Sequence, residues 1–261
     1  RLAQLKKGIK GLIGPFGHRV FVDSAPVLEK PLAQKAGLGW QGKHTLLINR
    51  KQGSWFVLGE IFVDLPLPID EPYQKDHCSR CESCMNVCPT NAFPQPYVLD
   101  ANRCIAYLTI EHRGSIAKEL RPLIGNRVFG CDDCQLACPW NRAPGTTQEN
   151  DFKPRHGLDQ AKLAQLFQWS EEQFLERTQG SPIRRAGFEG WQRNLAIGLG
   201  NGPATTNSIQ ALENQRDKAT PMVAEHIDWA LNQLLKRKSK IIPITPLPLA
   251  DHLGHKLKHL F

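Results

Sequence analysis

Cys78-Ser-Arg-Cys81-Glu-Ser-Cys84-Met-Asn-Val-Cys88-Pro89 is the stretch that decides how this chain folds. It places four cysteines within eleven residues. A second run, Cys131-x2-Cys134-x3-Cys138-Pro139, repeats the pattern, with Cys104 as an outlying partner. Together these are all eight cysteines of the chain. Cysteines three apart on short loops can wrap three thiolates around one face of an iron–sulfur cube. The cysteine before the proline is carried off that face and reaches the other cube. The rule divides the set into Cys78, Cys81, Cys84 and Cys138 for one 4Fe–4S cluster, and Cys88, Cys104, Cys131 and Cys134 for the other. Two adjacent cubes form a route for single electrons, so the pattern points to redox chemistry.

Competing uses of cysteine fit less well. Disulfides need an oxidising compartment, and the sequence shows no secretory segment, which suits the cytoplasm. A zinc ribbon uses two C-x2-C pairs a dozen or more residues apart, not four cysteines in one short run ending in Cys-Pro. No run of about 18 apolar residues is present, which argues against a membrane-spanning helix.

The 261 residues suggest about two domains and a sizeable core. The chain opens at Arg1 without a methionine, which suggests a further segment upstream. Net charge is +8 and unevenly spread. Residues 1–50 hold nine Lys/Arg against two Asp/Glu, residues 51–150 nine against twelve, and residues 151–261 fifteen against eleven. Positive flanks around an acidic centre suit a polyanion that spans two domains, with the redox centre between them.

Periodicity fills in the rest. Residues 19–22 read as a short buried strand with Asp23 at its end, followed by a helix from near Pro26 to Ala36. Residues 44–49 and 54–63 are rich in β-formers and joined by Arg50-Lys51-Gln52-Gly53, the pattern of an antiparallel hairpin. Helical spacing predicts helices over 159–177, 183–199, 207–214 and 221–236, paired like a short HEAT-type repeat module. Three prolines in 241–249 exclude helix there, and His252, His255 and His259 fall on what reads as a solvated tail. The fold class expected is α+β. Residues 1–71 form an α/β segment, 72–144 a ferredoxin-like two-cluster domain, 152–240 the helical module and 241–261 the tail.

Four stretches carry a resemblance. Val22-Asp23-Ser24-Ala25-Pro26-Val27-Leu28-Glu29-Lys30 is the first, and Ala36-Gly37-Leu38-Gly39-Trp40-Gln41-Gly42-Lys43-His44-Thr45-Leu46-Leu47-Ile48 the second. Gly53-Ser54-Trp55-Phe56-Val57-Leu58-Gly59-Glu60 and Gly180-Ser181-Pro182-Ile183-Arg184-Arg185 complete the set. With the cysteine pattern, they resemble the epoxyqueuosine reductases, cobalamin-dependent enzymes related to reductive dehalogenases. The resemblance implies reduction of an epoxide on a modified base of the tRNA anticodon loop, and that residues 1–71 are the C-terminal part of a cobalamin-binding domain.

It also implies site residues. Asp23 would be the proton donor beside the cofactor. Lys43, His44, Thr45, Leu47, Leu58 and Ala106, together with Asp23, would line the corrin. Lys30, Arg184 and Arg185 would meet the tRNA, whereas the Lys236–Lys240 charge run reads as a solvated face. Converting an epoxide to an alkene takes two electrons and releases the oxygen as water. The proton need and the one-electron clusters match that chemistry, and an external donor must refill the clusters. The chain lacks Asp-x-His-x-x-Gly, so cobalamin would bind without a lower histidine ligand. Two other classes remain. A small-molecule cobalamin reductase of the dehalogenase type would not need basic flanks. A ferredoxin-like carrier would not need 72 residues before the clusters and over 110 after them.

Overall fold

The computed structural model describes residues 1–23, 25–142, 145 and 147–240. The 241–249 tail and His252, His255 and His259 lie outside the described residues. Among those described, no helix is long and apolar enough to cross a membrane.

The N-terminal region contains α1 (Leu2–Ile13), β1 (His18–Phe21), α2 (Glu29–Lys35), β2 (Trp40–Gln41), β3 (Leu47–Ile48) and β4 (Glu60–Val63). The expected 44–49/54–63 hairpin does not form. Instead β2 pairs with β3, and β4 pairs with β1 from His18↔Val63 to Phe21↔Glu60, both antiparallel. The cause is local. The Gly42 N–H donates to the Leu46 carbonyl and the Thr45 N–H to the Gly42 carbonyl, with Thr45 at φ 67°. This tight loop uses up the pairing capacity of residues 40–48. Asn49 and Gly53 then close a second turn, and the chain leaves it unpaired until β4. Strand β1 is also not buried as expected: three of its four residues are exposed, and among the described residues β4 is its one partner strand. Helix α2 begins at Glu29 rather than at Pro26, and the Glu29 carboxylate accepts the Asp23 N–H at 2.8 Å. That bond holds the irregular segment before the helix.

The cysteine region carries the short helices expected between ligand loops: α3 (Ser83–Asn86), α4 (Ile105–Ile110), α5 (Arg121–Ile124) and α6 (Asp133–Leu136). Helices α3 and α6 repeat one motif. Each holds the middle cysteine of a C-x2-C-x3-C-Pro run, and the preceding residues, Glu82 and Asp132, share a backbone conformation (φ −128°, ψ 13° and φ −113°, ψ 12°). The two helices contact each other.

The C-terminal region holds α7 (Leu163–Leu166), α8 (Glu171–Arg177), α9 (Gly187–Asn201), α10 (Thr206–Arg216) and α11 (Pro221–Lys240). The single helix expected over 159–177 is two, because Ser170 starts a new one. Its hydroxyl accepts the Gln173 N–H while Gln173 returns a bond to the Ser170 N–H, a capping box. The helix expected from 183 begins as a 3₁₀ turn over Pro182–Ala186. The core joins Phe167, Phe174, Trp191, Leu195, Leu212, Ile227 and Leu234. Helix α9 lies at its centre, with every residue from Gly190 to Gly200 buried. Gly200 permits its close approach to α11, since a Cβ there would meet the Ala230 Cα at 2.8 Å.

Helix α9 also fastens this region to the cysteines. Its Ile197 enters the apolar cluster of Ile105, Leu108, Ile116, Leu120 and Ile124. The buried Arg193 guanidinium donates to the carbonyls of Leu108 (2.7 Å), His112 (2.8 Å) and Gly114 (2.7 Å). Asn194 donates to Thr109 and Val128, and Asn201 to Arg121 and Gly125. The two regions meet through polar side chains that satisfy buried backbone groups.

Candidate redox site

Cys78, Cys81, Cys84 and Cys138 line one cavity of about 320 Å³. Lys43, His44, Ile48, His77 and Trp140 complete its walls. The sequence supplies this convergence through the turn after Cys88 and the Pro139 3₁₀ turn after Cys138, which send each fourth cysteine across to the other motif. Burial pushes the Cys84 thiol up, and the neighbouring Cys78, Cys138 and Cys81 push it further. Cys134 is pushed up to about 12 by burial, then by Cys131, Cys104, Cys84 and Cys88. The cavity gathers the first set, and Cys134 feels Cys131, Cys104 and Cys88 as near neighbours. That Cys84 acts on Cys134 means the two sets are neighbours. Cationic iron reverses this penalty by binding the thiolates, so the donor sets suit iron–sulfur clusters.

The N-terminal region closes the first set. Lys43 is buried and its ammonium donates to the carbonyls of Ser79 (2.8 Å) and Cys81 (3.0 Å), pinning the first ligand loop. Trp40 packs on Cys138, with Tyr73, His77 and Trp140 around it. Burial lowers His44 to about 4, so its ring is neutral. A second tie runs from the Gly53 turn. The Ser54 N–H donates to the Asn141 side-chain oxygen at 2.7 Å, the Ser54 hydroxyl reaches Gln135 at 2.9 Å, and the Asn141 amide donates to the Gln135 carbonyl at 2.8 Å. Gly53 is required there, at φ 66°, because a Cβ would lie 2.8 Å from the Trp140 carbonyl.

On the other side of this network lies a cleft of about 490 Å³, lined by Val22, Asp23, Glu29, Lys30, Leu46, Leu47, Ser54, Phe56, Val57, Leu58 and Gln135. A neighbouring hollow of about 730 Å³ shares Ser54, Phe56, Val57 and Gln135. Of the residues expected at the corrin, Asp23, Leu47 and Leu58 line the cleft. Lys43 and His44 face the cysteines instead, and Thr45 turns its carbonyl toward the Lys30 ammonium at 2.9 Å. Ala106 sits on α4 beside Cys104 and is not among the lining residues. Gln135 gives the arrangement its chemical sense: it follows Cys134 and forms a wall of the cleft that holds Asp23.

Of the residues expected at the tRNA, Lys30 lines the cleft and Arg184 is exposed on the Pro182–Ala186 turn. Arg185 reaches across from that turn to Asp23 at 2.5 Å and to Glu111 at 2.8 Å. The structure thus brings Asp23, Lys30 and Arg185 together, from regions more than 150 residues apart. Sequence reasoning missed the Ser54–Gln135–Asn141 network. It missed the Arg193 and Asn194 ties as well, since polar residues inside a helix read as surface. In the 236–240 run, Arg237 donates to the carbonyls of Gly200 and Gly202 at the end of α9, so that residue closes a helix rather than facing solvent.

Comparisons with known proteins agree with this geometry. Residues 77–141 match the 4Fe-4S double cluster binding domain family. The chain is 61% identical over 233 residues to the epoxyqueuosine reductase of Pseudomonas aeruginosa, covering 89% of this chain and 64% of that protein. The chain therefore spans less than two thirds of that relative's length. It superposes on an epoxyqueuosine reductase from Bacillus subtilis, whose catalytic loop is swung out of the active site, with TM-score 0.82 and 26% identity. That match covers 89% of this chain and 61% of the other. An epoxyqueuosine reductase solved with an epoxyqueuosine-modified tRNA-Tyr stem loop gives TM-score 0.79 at 26% identity, over 89% of this chain and 61% of that one.

Proposed function

We propose that this chain, a member of the epoxyqueuosine reductase family, reduces epoxyqueuosine to queuosine in the anticodon loop of tRNA. One observation carries the reading: the Asp23 carboxylate lines a cleft that is also lined by Gln135, the residue next to Cys134. Proton supply and electron supply meet at one cleft.

The residues divide the work. The two cysteine sets hold two 4Fe–4S clusters, which an external one-electron donor refills. Cobalamin, when bound, supplies the two-electron reduction at the epoxide carbon. The cleft suits a large flat ring with apolar edges: Leu47, Phe56, Val57 and Leu58 offer apolar contact, and the adjoining hollow extends it. Leu47 and Leu58 would lie against the corrin, with the Lys43–Thr45 backbone at its edge. Ala106 is assigned there by resemblance alone. Asp23 gives the departing oxygen its proton. The Arg185 contact occupies the Asp23 carboxyl, so it must open during the reaction; Asp23 then takes its proton from solvent and passes it to the departing oxygen, and water supplies the second proton with which that oxygen leaves as water. A tRNA phosphate offers Arg185 an alternative partner, which couples substrate binding to release of Asp23.

Lys30 and Arg184 add phosphate contacts, and the α7–α11 region is the HEAT-like module that supports the stem loop. The target base lies in a loop and can be splayed into the cleft without melting a duplex. A tRNA substrate implies the cytoplasm. The test is anaerobic: the full-length protein, loaded with iron–sulfur clusters and cobalamin, is given an epoxyqueuosine-bearing stem loop and a chemical reductant. Queuosine in the nucleoside digest is the expected product. Loaded protein that leaves the epoxide intact would overturn the reading.

A further inference from the structure

His44 carries a buried N–H that no described residue accepts, and the buried Trp40 indole N–H meets no partner at hydrogen-bond distance but favours the neighbouring Cys78 thiolate. His44 is 3% exposed and lines the cavity of Cys78, Cys81, Cys84 and Cys138. Its Nδ1 accepts the Leu46 N–H at 3.2 Å, so Nδ1 carries a lone pair and the ring proton lies on Nε2. No described residue accepts from Nε2. The ring is deliberately seated: a Cβ on Gly42 would approach its Cε1 to 3.2 Å and the Ile48 Cδ1 to 2.5 Å. Only glycine leaves that space. Trp40 is 1% exposed, and its Nε1, without a partner at hydrogen-bond distance, is turned to the Cys78 sulfur closely enough to favour the thiolate. It packs on Cys138 with Cys78 alongside. Among the described residues, unpaired buried N–H groups also occur at Arg121 and Trp191, but only His44 and Trp40 stand against a cysteine set, whose sulfurs are the acceptors within reach.

A cube supplies such acceptors through its thiolate and inorganic sulfurs. The second set is served differently. There, the Ala92 N–H already donates to the Cys88 sulfur at 3.3 Å, with the Thr90 hydroxyl nearby at 3.6 Å. N–H···S bonds draw electron density from sulfur and favour the reduced cluster, which raises its potential.

We propose that the His44 imidazole and the Trp40 indole donate hydrogen bonds to the cluster held by Cys78, Cys81, Cys84 and Cys138, and that these donors raise its potential. The inference rests on the two-cluster reading above. Each cycle moves one electron from the external donor onto this cluster and then onward, and neither ring gains or loses a proton. His44 and Trp40 are positioning residues that set where the electron waits.

The experiment is an anaerobic redox titration of full-length protein with dithionite and mediators, followed by electron paramagnetic resonance. Iron is counted first. Much less than about eight iron per chain in the wild type overturns the two-cluster reading, and this inference with it. With iron in place, His44→Phe and Trp40→Phe should each lower the same one of the two couples and leave the other unmoved. The expected shift is about tenfold in the reduced-to-oxidised ratio at a fixed potential, 59 mV for a one-electron couple. His44→Gln, whose amide can still donate, should recover most of it. Iron-replete variants with both couples unmoved overturn the proposal. Should a variant lose iron, the wild type with 15N-histidine decides: pulsed resonance of the reduced protein should show a histidine nitrogen coupled to a cluster, and its absence overturns the His44 assignment.

Discussion

The two sides of the cysteine region are held by different means. On the C-terminal side, α9 is buried along eleven residues, and Arg193, Asn194 and Asn201 satisfy seven carbonyls of the cysteine region between them. On the N-terminal side, the chain reaches the cysteines through Trp40, Lys43, His44 and the Ser54 network, and leaves apolar side chains facing solvent. Val57, in the wall of the cleft, is 82% exposed, and Val22, Leu28 and Trp55 are exposed with it. Fixed ties serve a frame whose cluster ligands must not move. An open apolar face serves a surface that takes up something large. The contrast predicts that substitutions on one side cost stability, while those on the other cost chemistry.

The largest effect belongs between the two sides. Cys138→Ser should remove about half the iron, and the surviving paramagnetic signal should match that of Cys78→Ser. A signal matching Cys131→Ser instead would show that the sets do not exchange their fourth ligands. Next comes the frame. Arg193 is 1% exposed, and burial lowers its pKa to about 10, a charge held by carbonyl oxygens. Arg193→Ala orphans three of them and should cost ~3–5 kcal/mol in denaturant unfolding. A loss near that of a surface substitution would refute the frame.

A pH dependence follows on the same side. His226 on α11 accepts the Ile116 N–H at 3.2 Å through Nε2 and donates to the Met222 carbonyl at 2.7 Å through Nδ1, which requires a neutral ring. Burial lowers it from an ordinary 6.5 to about 4. The unfolded chain therefore takes the proton first. Stability that is full above pH 6.5 should fall as pH drops from 6.5 to 4, by ~3 kcal/mol from His226. Glu225, lowered to about 2 by Ser115 and Arg121, acts in a lower window, between 4.5 and 2. His44, lowered over the same range as His226, contributes to the same upper step, so unfolding curves for His226→Gln should lose about half of it, and an unchanged step would place its origin elsewhere. The smallest effect is on the open side: Val57→Ser should change stability by no more than ~0.5 kcal/mol, while weakening cobalamin retention on a desalting column. A large stability loss there would erase the contrast.

The sequence made these two sides unequally legible. Ligand spacing is dictated by cluster geometry, so the cysteines could be read directly. The C-terminal helices follow from apolar period, although Ser170 and Pro182 shift their starts. Pairing of β1 with β4 could not be read, because two four-residue strands separated by forty residues leave no local mark. Nor could Arg193, whose burial depends on carbonyls contributed by a different region. Asp23 is singled out by its surrounding motif, but its pairing with Arg185 lies beyond any local pattern.

The most direct test lies on the open side, at Asp23. Asp23→Asn keeps the shape and cannot supply a proton. Loaded full-length protein carrying it should retain wild-type iron, cobalamin and thermal midpoint, and convert epoxyqueuosine in tRNA ~100-fold more slowly or worse. Conversion at the wild-type rate would contradict the account, leaving Asp23 as no more than the partner of Arg185.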